Sequence, residues 1–468
     1  MINKNRQIYI LFSFFMLMSN CSKLTEPENP GLLYPNTLPE TTMANVPLDN
    51  NADNPYVYRI KLYWDGGDED GYIIGFKYRI NENAWIFTKE TFMTIDFPSP
   101  DSINVHTFEV KSIDNDGDED PTPASKVLYT KQTDLPETEI LSSPSPHQAV
   151  FILKDTTDSW KGIEFFLGGK DTDGDIIAYE YAIDDSTIWI TVEESIIRIY
   201  GELSDGEHTF FARAIDNAMG VDLTPVKQKF IVIMPTLEKN ILIVDETRDG
   251  TGSAASPDDQ MVDNFYRHIL TDFNFSEYDL KSEGMIDAKT FADFDIVVWH
   301  DEERVDNLLK LYMNEVKSYL KIGGKFFISG WRTMENADNI LSDNYIYSKN
   351  DFGYSFLQLE SFKYQVDKDF IGAVGINGYP DLSTDPNKML SSYEGKLNYC
   401  SVITPYDLSN QILAFDSFAD NLDFEGGACA IKFFTNSYRV VALGFPLYCI
   451  DEGQAKDFIV KAITDLRN

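Results

Sequence analysis

An internal repeat constrains the fold of this chain more than any other feature of its sequence. Residues 67–78, GDEDGYIIGFKY, match residues 170–181, KDTDGDIIAYEY. Downstream, a tryptophan and the segments HTF, IDN and TP recur in the same order, and the offset between the copies stays between 102 and 104 residues. Because insertions would change the offset, its constancy indicates two copies of one module.

Within each copy, apolar and polar residues alternate, as they do at Tyr58, Ile60, Leu62 and Trp64. Turn-forming Gly, Asp, Asn and Pro residues separate the alternating segments, a pattern typical of half-buried antiparallel strands. The acidic GDEDGY-type loop, the mid-module tryptophan and the HTF…AIDN segment resemble fibronectin type III-like or immunoglobulin-like modules of secreted bacterial proteins. The resemblance implies two all-β sandwich modules, at residues 55–133 and 134–236.

Four tryptophans of these modules are candidates for stacking on sugar rings: Trp64, Trp85, Trp160 and Trp189. Trp85 and Trp189 occupy one repeat position, which is typical of a structural core residue. We therefore expect these two side chains to be buried in the cores of the sandwiches.

The hydrophobic pattern changes after Lys239. Four continuous apolar runs follow, at Ile241–Val244, Ile296–Trp299, Phe326–Ile328 and Val440–Leu443. Runs of this kind indicate strands that are buried on both faces of a parallel sheet. Helical patterns over 261–273, 307–320 and 454–466 accompany them, so the alternation predicts an α/β layered domain.

The segments KNILIVDE, FDIVVWHDE, LKIGGKFFISGWR and RVVALGFPLYCI resemble the flavodoxin-like domain of the class I glutamine amidotransferase superfamily. The likeness is specifically to non-catalytic versions of this domain that are appended to secreted bacterial proteins. The resemblance implies a doubly wound α/β domain at residues 237–468. Residues 345–435, rich in Tyr, Asn, Gly and Phe, are a long insertion that it leaves unplaced.

Three polar residues end strands of the predicted sheet: Asp245, His300 and Ser329. In a doubly wound sheet such ends converge on one rim, where ligands bind. A carboxylate, an imidazole and a hydroxyl could act there as a catalytic triad, or His300 and Asp245 could hold a metal ion together with Asp301. The alternative is a solvated rim without chemistry, and we expect this one.

The resemblance places the reactive cysteine of the amidotransferases at Ser329. A nucleophile on a tight strand-to-helix turn needs small residues two positions away on either side, whereas this chain has Phe327 and Trp331. No histidine follows His300 either, so the downstream histidine of the family has no counterpart. We therefore expect the amidotransferase activity to be lost.

Acidic loops at one pole of each sandwich are the candidate metal sites. Carboxylates on alternate residues can surround a calcium ion, and apart from the metal alternative at the rim the sequence suggests no other cofactor. An EF-hand is excluded because its twelfth position is Ala182 rather than Glu. The alternative is that these residues only form turns. The candidate ligands are Asp68, Asp70, Asp114 and Asp116 in the first module and Asp171, Asp173, Asp175 and Asp216 in the second.

The N-terminus predicts export. Lys4 and Arg6 precede the apolar run Ile8–Met18, which is too short to span a bilayer and ends near Cys21. Residues 1–21 resemble a bacterial lipoprotein signal peptide, which implies lipidation of Cys21 and, since Ser22 is not Asp, an outer-membrane or cell-surface location. Ordinary signal-peptide cleavage is the alternative. Residues 22–54, rich in Pro, Asn, Glu and Thr, predict a flexible tether.

The net charge restricts the partners of the chain, and the cysteines leave its disulfide state open. A formal net charge of −37 repels polyphosphate, so we expect no nucleic-acid partner. Cys400, Cys429 and Cys449 permit either one disulfide with a leftover thiol or three buried thiols.

The sequence as a whole predicts a lipid-anchored binding or assembly protein of the cell envelope. It would present a non-catalytic α/β domain on a two-module β stalk to a polysaccharide or an envelope protein. A surface hydrolase that uses the rim of the C-terminal domain is the alternative.

Overall fold

A computed structural model of the chain describes residues 35–44, 47–248, 257–303 and 308–468. The predicted signal peptide and the predicted lipidation site at Cys21 lie outside these ranges. The chain divides into two units, Met1–Thr133 and Asp134–Asn468. The second unit contains the second repeat and the whole C-terminal domain.

The described part of the first unit forms a β-sandwich. Its three-stranded sheet has the order β1-β2-β5 and its four-stranded sheet the order β4-β3-β6-β7. Leu62 and Trp64 from one sheet pack against Phe76 and Phe108 from the other, which confirms the predicted sandwich. The strands are β1 (Glu40–Met43), β2 (Arg59–Gly67), β3 (Ile73–Ile80), β4 (Ile86–Thr88), β5 (Phe92–Asp96), β6 (Ile103–Asp114) and β7 (Ala124–Lys131).

Strand β1 lies inside the segment 22–54 that the sequence predicts to be a tether. It pairs with β2, with Glu40 opposite Gly67 and Met43 opposite Trp64. The backbone N–H of Thr41 donates to Asp120 Oδ2 at 2.8 Å. The module therefore begins before residue 55, and composition does not reveal this because β1 buries little apolar surface.

The second repeat is also a sandwich. Its sheets have the orders β13-β10-β8 and β12-β11-β14-β15-β9. Apart from the added edge strand β9, which is parallel to β15, these orders match the first module strand for strand. The strands are β8 (Glu137–Ser142), β9 (Ala149–Phe151), β10 (Ile163–Lys170), β11 (Ile176–Ile183), β12 (Ile190–Val192), β13 (Ile196–Ile199), β14 (Gly206–Asp216) and β15 (Val226–Ile233).

A nine-stranded mixed sheet with the order β17-β16-β18-β19-β27-β26-β25-β22-β23 organises the C-terminal domain. Four of its strands come from the insertion: β22 (Phe370–Gly375), β23 (Leu382–Ser383), β25 (Gln411–Ser417) and β26 (Ala428–Phe434). The first five strands of this order are parallel, and the four predicted apolar runs lie in four of them. Those strands are β16 (Lys239–Asp245), β17 (Phe275–Asp279), β18 (Phe294–Asp301), β19 (Lys325–Gly330) and β27 (Arg439–Leu443). The remaining strands of the sheet are antiparallel to their neighbours.

Helices cover both faces of the parallel strands. Ile241 and Ile243 belong to one apolar cluster with residues of α1 and α7. Leu242 and Val244, which point the opposite way, belong to another cluster with residues of α3 and α4. This double burial explains why the strands are apolar at consecutive positions. The helices are α1 (Asp259–Ile269), α2 (Leu280–Glu283), α3 (Ala288–Ala292), α4 (Met313–Lys321), α5 (Thr333–Asp338), α6 (Phe352–Leu357) and α7 (Glu452–Arg467).

The insertion at 345–435 is folded rather than a loop. Part of it forms a separate sheet with the order β20-β21-β24, and the rest extends the main sheet. Its strands are β20 (Asn344–Ile346), β21 (Leu359–Gln365), β22 (Phe370–Gly375), β23 (Leu382–Ser383), β24 (Cys400–Pro405), β25 (Gln411–Ser417) and β26 (Ala428–Phe434).

The second sandwich and the C-terminal domain share one core. Phe165 and Phe230 of the sandwich belong to the same buried cluster as Trp299 and Leu320. In addition, the backbone N–H of Thr236, the last residue of the sandwich module, donates to the carbonyl of Ala292 at 3.0 Å. The junction is therefore packed, as expected for one unit.

Candidate functional site

The three predicted rim residues lie in one row. Asp245 is directly opposite His300, and His300 is directly opposite Ser329, across the adjacent strands β16, β18 and β19. The row arises because parallel neighbours end at the same edge of a sheet. The structure thus brings together a carboxyl group, an imidazole and a hydroxyl at this edge.

His300 is buried, with 1% of its surface exposed. Its ring stacks on that of Tyr266, with centroids 3.8 Å apart. Burial lowers the pKa of His300 to about 3, so the imidazole is neutral. Its Nδ1 lies 3.5 Å from Asp245 Oδ1 and makes no hydrogen bond with any described residue.

Ser329 does not have the geometry of a nucleophile. Its side chain is fully buried within β19. Its Oγ accepts a hydrogen bond from the backbone N–H of Leu447 at 2.9 Å and donates to the carbonyl of Phe445 at 3.4 Å. The hydroxyl therefore fastens the end of β19 to the segment after β27.

The sharp strand-to-helix turn lies three residues beyond Ser329. Arg332 has φ 55° and ψ 32° at the start of α5, in the left-handed region that a residue with a side chain rarely adopts. Its guanidinium makes an ion pair with Glu335. Placing the turn at Ser329 is therefore wrong, and the residue on the turn is an arginine that cannot serve as a nucleophile.

Two further carboxyl groups near the rim serve the fold. Glu246 Oε2 accepts from Trp299 Nε1 at 2.8 Å, and Glu302 Oε1 accepts from the Tyr266 hydroxyl at 2.5 Å. Burial raises the pKa of each of these two groups to about 7. Because both are enclosed and hydrogen-bonded to aromatic side chains, they hold the strand ends in place.

An acidic cavity of about 320 Å³ opens beside Asp245. Burial, with the charge of nearby Asp259 and a hydrogen bond between the Asp245 and Asp263 carboxyl groups, raises the pKa of Asp245 to about 9. In the metal alternative, Asp301 would join His300 and Asp245; in the structure, carboxylate oxygens of Asp259 and Asp263 on α1 lie within 4.8 Å of one from Asp245. The spacing of four residues between Asp259 and Asp263 at the start of a helical pattern was the available signal, since it places both on one helix face.

The candidate calcium ligands of the first module contact the polypeptide itself. Asp114 Oδ1 accepts from the backbone N–H groups of Asp116 and Asp118, both at 2.9 Å. The backbone N–H of Thr37 donates to the two carboxylate oxygens of Asp70 at 3.2 Å. Asp68 accepts from the backbone N–H of Asp70 at 3.3 Å. These contacts are those of turn-forming residues.

The second module repeats this arrangement. Asp216 Oδ1 accepts from the backbone N–H groups of Ala218 and Gly220 at 2.8 Å. Asp171 accepts from the backbone N–H of Asp173 at 3.3 Å, and the backbone N–H of Asp175 donates to Asn217 Oδ1 at 3.0 Å. Calcium binding by these loops stays a prediction, and the turn alternative accounts for the contacts.

The tryptophans divide differently from the expectation. Trp64 and Trp160 are buried, whereas Trp85 and Trp189 are only half-buried. Lys111 Nζ lies 4.5 Å from the centroid of the Trp85 ring, and the Arg213 guanidinium lies 4.2 Å from that of Trp189. The expected core role of this repeat position is therefore wrong: it carries a cation–π pair beside charged strand residues.

The three described cysteines, Cys400, Cys429 and Cys449, are buried free thiols. Burial raises the pKa of each thiol. The structure therefore favours the alternative without a disulfide, and the thiols pack as small apolar groups.

A groove lies where the second sandwich meets α4; we call it the junction groove. Its volume is about 510 Å³. An adjoining cavity of about 570 Å³ shares Lys161 and Lys321 with it. Side chains that line the junction groove include Ser142, Gln148, Ser159, Lys161, Glu164, Ser318 and Lys321. Neutral polar groups, two ammonium groups and the carboxylate of Glu164 thus meet there, in a chain whose net charge is −37.

No helix among the described residues combines the length and the apolar character needed to cross a bilayer. No protein-family model and no curated protein matches the sequence.

Several solved structures show similarity over parts of the chain. Fibronectin(III)-like modules of CbhA from Clostridium thermocellum share 13% identity, covering 42% of this chain and 95% of theirs, with a TM-score of 0.21. The PKD1 domain of Epp from Vibrio anguillarum shares 11% identity, covering 21% of this chain and 99% of its own, with a TM-score of 0.16.

SGBP-B of the Bacteroides ovatus mixed-linkage glucan utilization locus, solved in complex with a mixed-linkage heptasaccharide, shares 10% identity. The match covers 46% of this chain and 52% of that protein, with a TM-score of 0.17. At such TM-scores, the function of this chain does not follow from any of these similarities.

Proposed function

We propose that this protein is a lipid-anchored component of a bacterial cell envelope that binds a polysaccharide and does not transform it. In this proposal Cys21 carries the lipid, at the outer membrane or cell surface. The two fibronectin type III-like modules form a stalk, and the last domain is a flavodoxin-like relative of the class I glutamine amidotransferases that has lost its chemistry.

The junction groove is the observation that carries the proposal. Ligand sites form preferentially where domains meet, and they combine a concave shape with a few polar groups that fix the orientation of the ligand. Hydroxyl and amide groups suit the many hydroxyls of a sugar chain. Lys161 Nζ donates to the carbonyl of Thr157 at 2.9 Å, so one of the two ammonium groups is already held in position.

The rim of the parallel sheet supports a non-enzymatic role. A nucleophile must be accessible and within hydrogen-bond reach of a base. Ser329 is buried and bonded to the backbone around Leu447, and the adjacent turn carries Arg332. A hydrolase that uses Ser329, His300 and Asp245 would need these groups to rearrange, so we rank it second.

Affinity electrophoresis of the purified protein in gels containing soluble bacterial and plant polysaccharides tests the proposal. We expect at least one polysaccharide to retard the wild type, and Lys161→Ala/Lys321→Ala to lose most of that retardation. Lys310→Ala removes an exposed lysine outside the groove and should leave retardation unchanged. Equal retardation of the three proteins would place binding elsewhere.

Absence of retardation by every polysaccharide tested would contradict the proposal and favour an envelope protein as the partner. A glycan that is bound and then shortened would favour the hydrolase, provided that Ser329→Ala or His300→Gln abolishes the shortening while the protein stays folded.

A further inference from the structure

Three carboxyl groups converge at the carboxyl end of β16. Asp245 ends this strand, and Asp259 and Asp263 lie on the adjacent helix α1. One carboxylate oxygen from each residue lies within 4.8 Å of the other two. Among the described residues, this is the one such group of three. An acidic cluster alone does not make a binding site, so a second observation is needed.

His300 provides the second observation. The residue is 1% exposed and lines the same cavity as Asp245 and Asp263. Its Nδ1 is buried and has no hydrogen-bond partner among the described residues. Buried polar atoms are nearly always hydrogen-bonded, so an isolated ring nitrogen that faces a carboxyl group is unusual and points to a missing partner.

The separation of His300 Nδ1 and Asp245 Oδ1 fits two ligands of one ion. The two atoms are 3.5 Å apart, which is long for a hydrogen bond. Two donors that each lie about 2.1 Å from a tetrahedrally coordinated ion are about 3.4 Å from each other. An ion between the two atoms would satisfy the nitrogen with little movement of either side chain.

The charge of the cavity also favours a cation. Among the described residues, its lining includes the carboxyl groups of Asp245, Asp263, Glu277, Asp279 and Glu283 and one permanent cation, Arg267. Arg267 makes ion pairs with Asp263 at 3.1 Å and with Glu277 at 2.6 Å. Lys281 Nζ also lies 4.0 Å from Asp259 Oδ2, so carboxyl groups outnumber the cations Arg267 and Lys281 around this cavity.

We propose that Asp245, Asp259, Asp263 and His300 bind one divalent transition-metal ion. Mixed carboxylate and imidazole ligands suit Mn²⁺ or Zn²⁺ better than Ca²⁺ or Mg²⁺, which prefer oxygen ligands alone. The ion would connect the ends of β16 and β18 to α1. The proposal is independent of the junction groove and of any polysaccharide.

Titration of the chelator-treated full chain with Mn²⁺ tests the site, using electron paramagnetic resonance and the melting temperature as readouts. We expect one saturable Mn²⁺ site, nitrogen coupling in the pulsed spectrum and a higher melting temperature with the ion bound. Asp263→Asn should weaken Mn²⁺ binding about tenfold or more. Asp457→Asn removes an exposed carboxylate from α7 and should leave binding unchanged.

His300→Gln should remove the nitrogen coupling. If this variant fails to fold, the coupling in the wild type and the effect of Asp259→Asn decide the question. Weak binding that Asp263→Asn and Asp457→Asn reduce equally would overturn the proposal, because it would reflect general attraction by the acidic surface. Saturable binding without nitrogen coupling would overturn the assignment of His300.

Discussion

Single carboxylates of the module loops act as acceptors for the backbone. Asp222 shows this most clearly: Oδ2 accepts from the backbone N–H and hydroxyl of Thr138, and Oδ1 from those of Thr224, at 2.7 to 2.9 Å. Burial opposes ionisation, but these hydrogen bonds hold the pKa of Asp222 below its ordinary value. The acidic side chains of these loops therefore serve as hydrogen-bond acceptors for backbone N–H groups that have no partner in a strand or helix.

We expect Asp222→Ala to lower the free energy of unfolding by about 2 kcal/mol at neutral pH, because buried donors lose an ionised acceptor. Since the folded pKa is depressed, the stabilisation is complete above the unfolded value of about 3.9 and is lost as pH falls through the folded pKa. Urea denaturation should therefore show the difference between wild type and variant shrinking below about pH 4.

Asp155→Ala changes an exposed carboxylate of the same module and should have little effect at any pH. A difference for Asp222→Ala that grows on acidification would contradict the assigned role of this carboxylate.

At the scale of elements, the carboxyl ends of β18 and β19 can approach each other only because residue 330 is glycine. Gly330 has φ 150°, and a Cβ added there would lie 2.2 Å from the carbonyl oxygen of Asp301. The same carbonyl accepts from the backbone N–H of Trp331 at 3.0 Å. Strand β19 therefore cannot move away from β18 at this position without losing the hydrogen bond between Trp331 and Asp301.

Gly330→Ala should lower the free energy of unfolding by at least about 2 kcal/mol, from steric conflict and backbone strain. Gly67→Ala is the matched control, since an added Cβ there meets no atom within 4 Å. Chemical denaturation measures both variants. Equal free energies of unfolding for the two variants would show that the ends of β18 and β19 can move apart to accommodate a side chain.

Sequence patterns predicted the strands that are buried on both faces and the alternating strands of the two repeats, but missed strands whose patterns are mixed. The four apolar runs became β16, β18, β19 and β27 because a short segment that is apolar at every position is typical of a strand covered on both faces. Strand β1 and the antiparallel strands of 345–435 carry mixed patterns that depend on distant partners. The turn at Arg332 was misplaced because backbone conformation, rather than residue type, defines it.

The same limit applies to the candidate site. Strand ends placed Asp245, His300 and Ser329 in one row correctly, because parallel register is a local consequence of topology. The contribution of Asp259 and Asp263 depends on how α1 packs over β16, and the junction groove depends on how the second sandwich packs against α4. Neither packing can be read from the spacing of residues.

At the scale of the whole molecule, the chain consists of two units with separate cores. The first sandwich has its own apolar cluster around Leu62 and Phe108. The second sandwich shares a cluster with the α/β domain, from Phe165 to Leu320. We therefore expect unfolding to be cooperative across the boundary at 236/237 but not across the one at 133/134.

We expect a chain of residues 134–468 to melt at the temperature of the corresponding transition in the longer protein, by differential scanning calorimetry. A chain of residues 237–468 should melt at a lower temperature or fail to fold, because it exposes the shared cluster to water. If residues 237–468 melt at the same temperature as residues 134–468, the shared core does not stabilise the C-terminal domain. The packing that forms the junction groove would then not be rigid.

The central claim is that the protein binds a polysaccharide and leaves it unchanged. The most direct test is to incubate the wild type with a polysaccharide that retards it, recover the glycan and measure its chain length. We predict retardation that depends on Lys161 and Lys321, together with an unaltered chain length. A shortened glycan, with the shortening absent in Ser329→Ala, would contradict the claim.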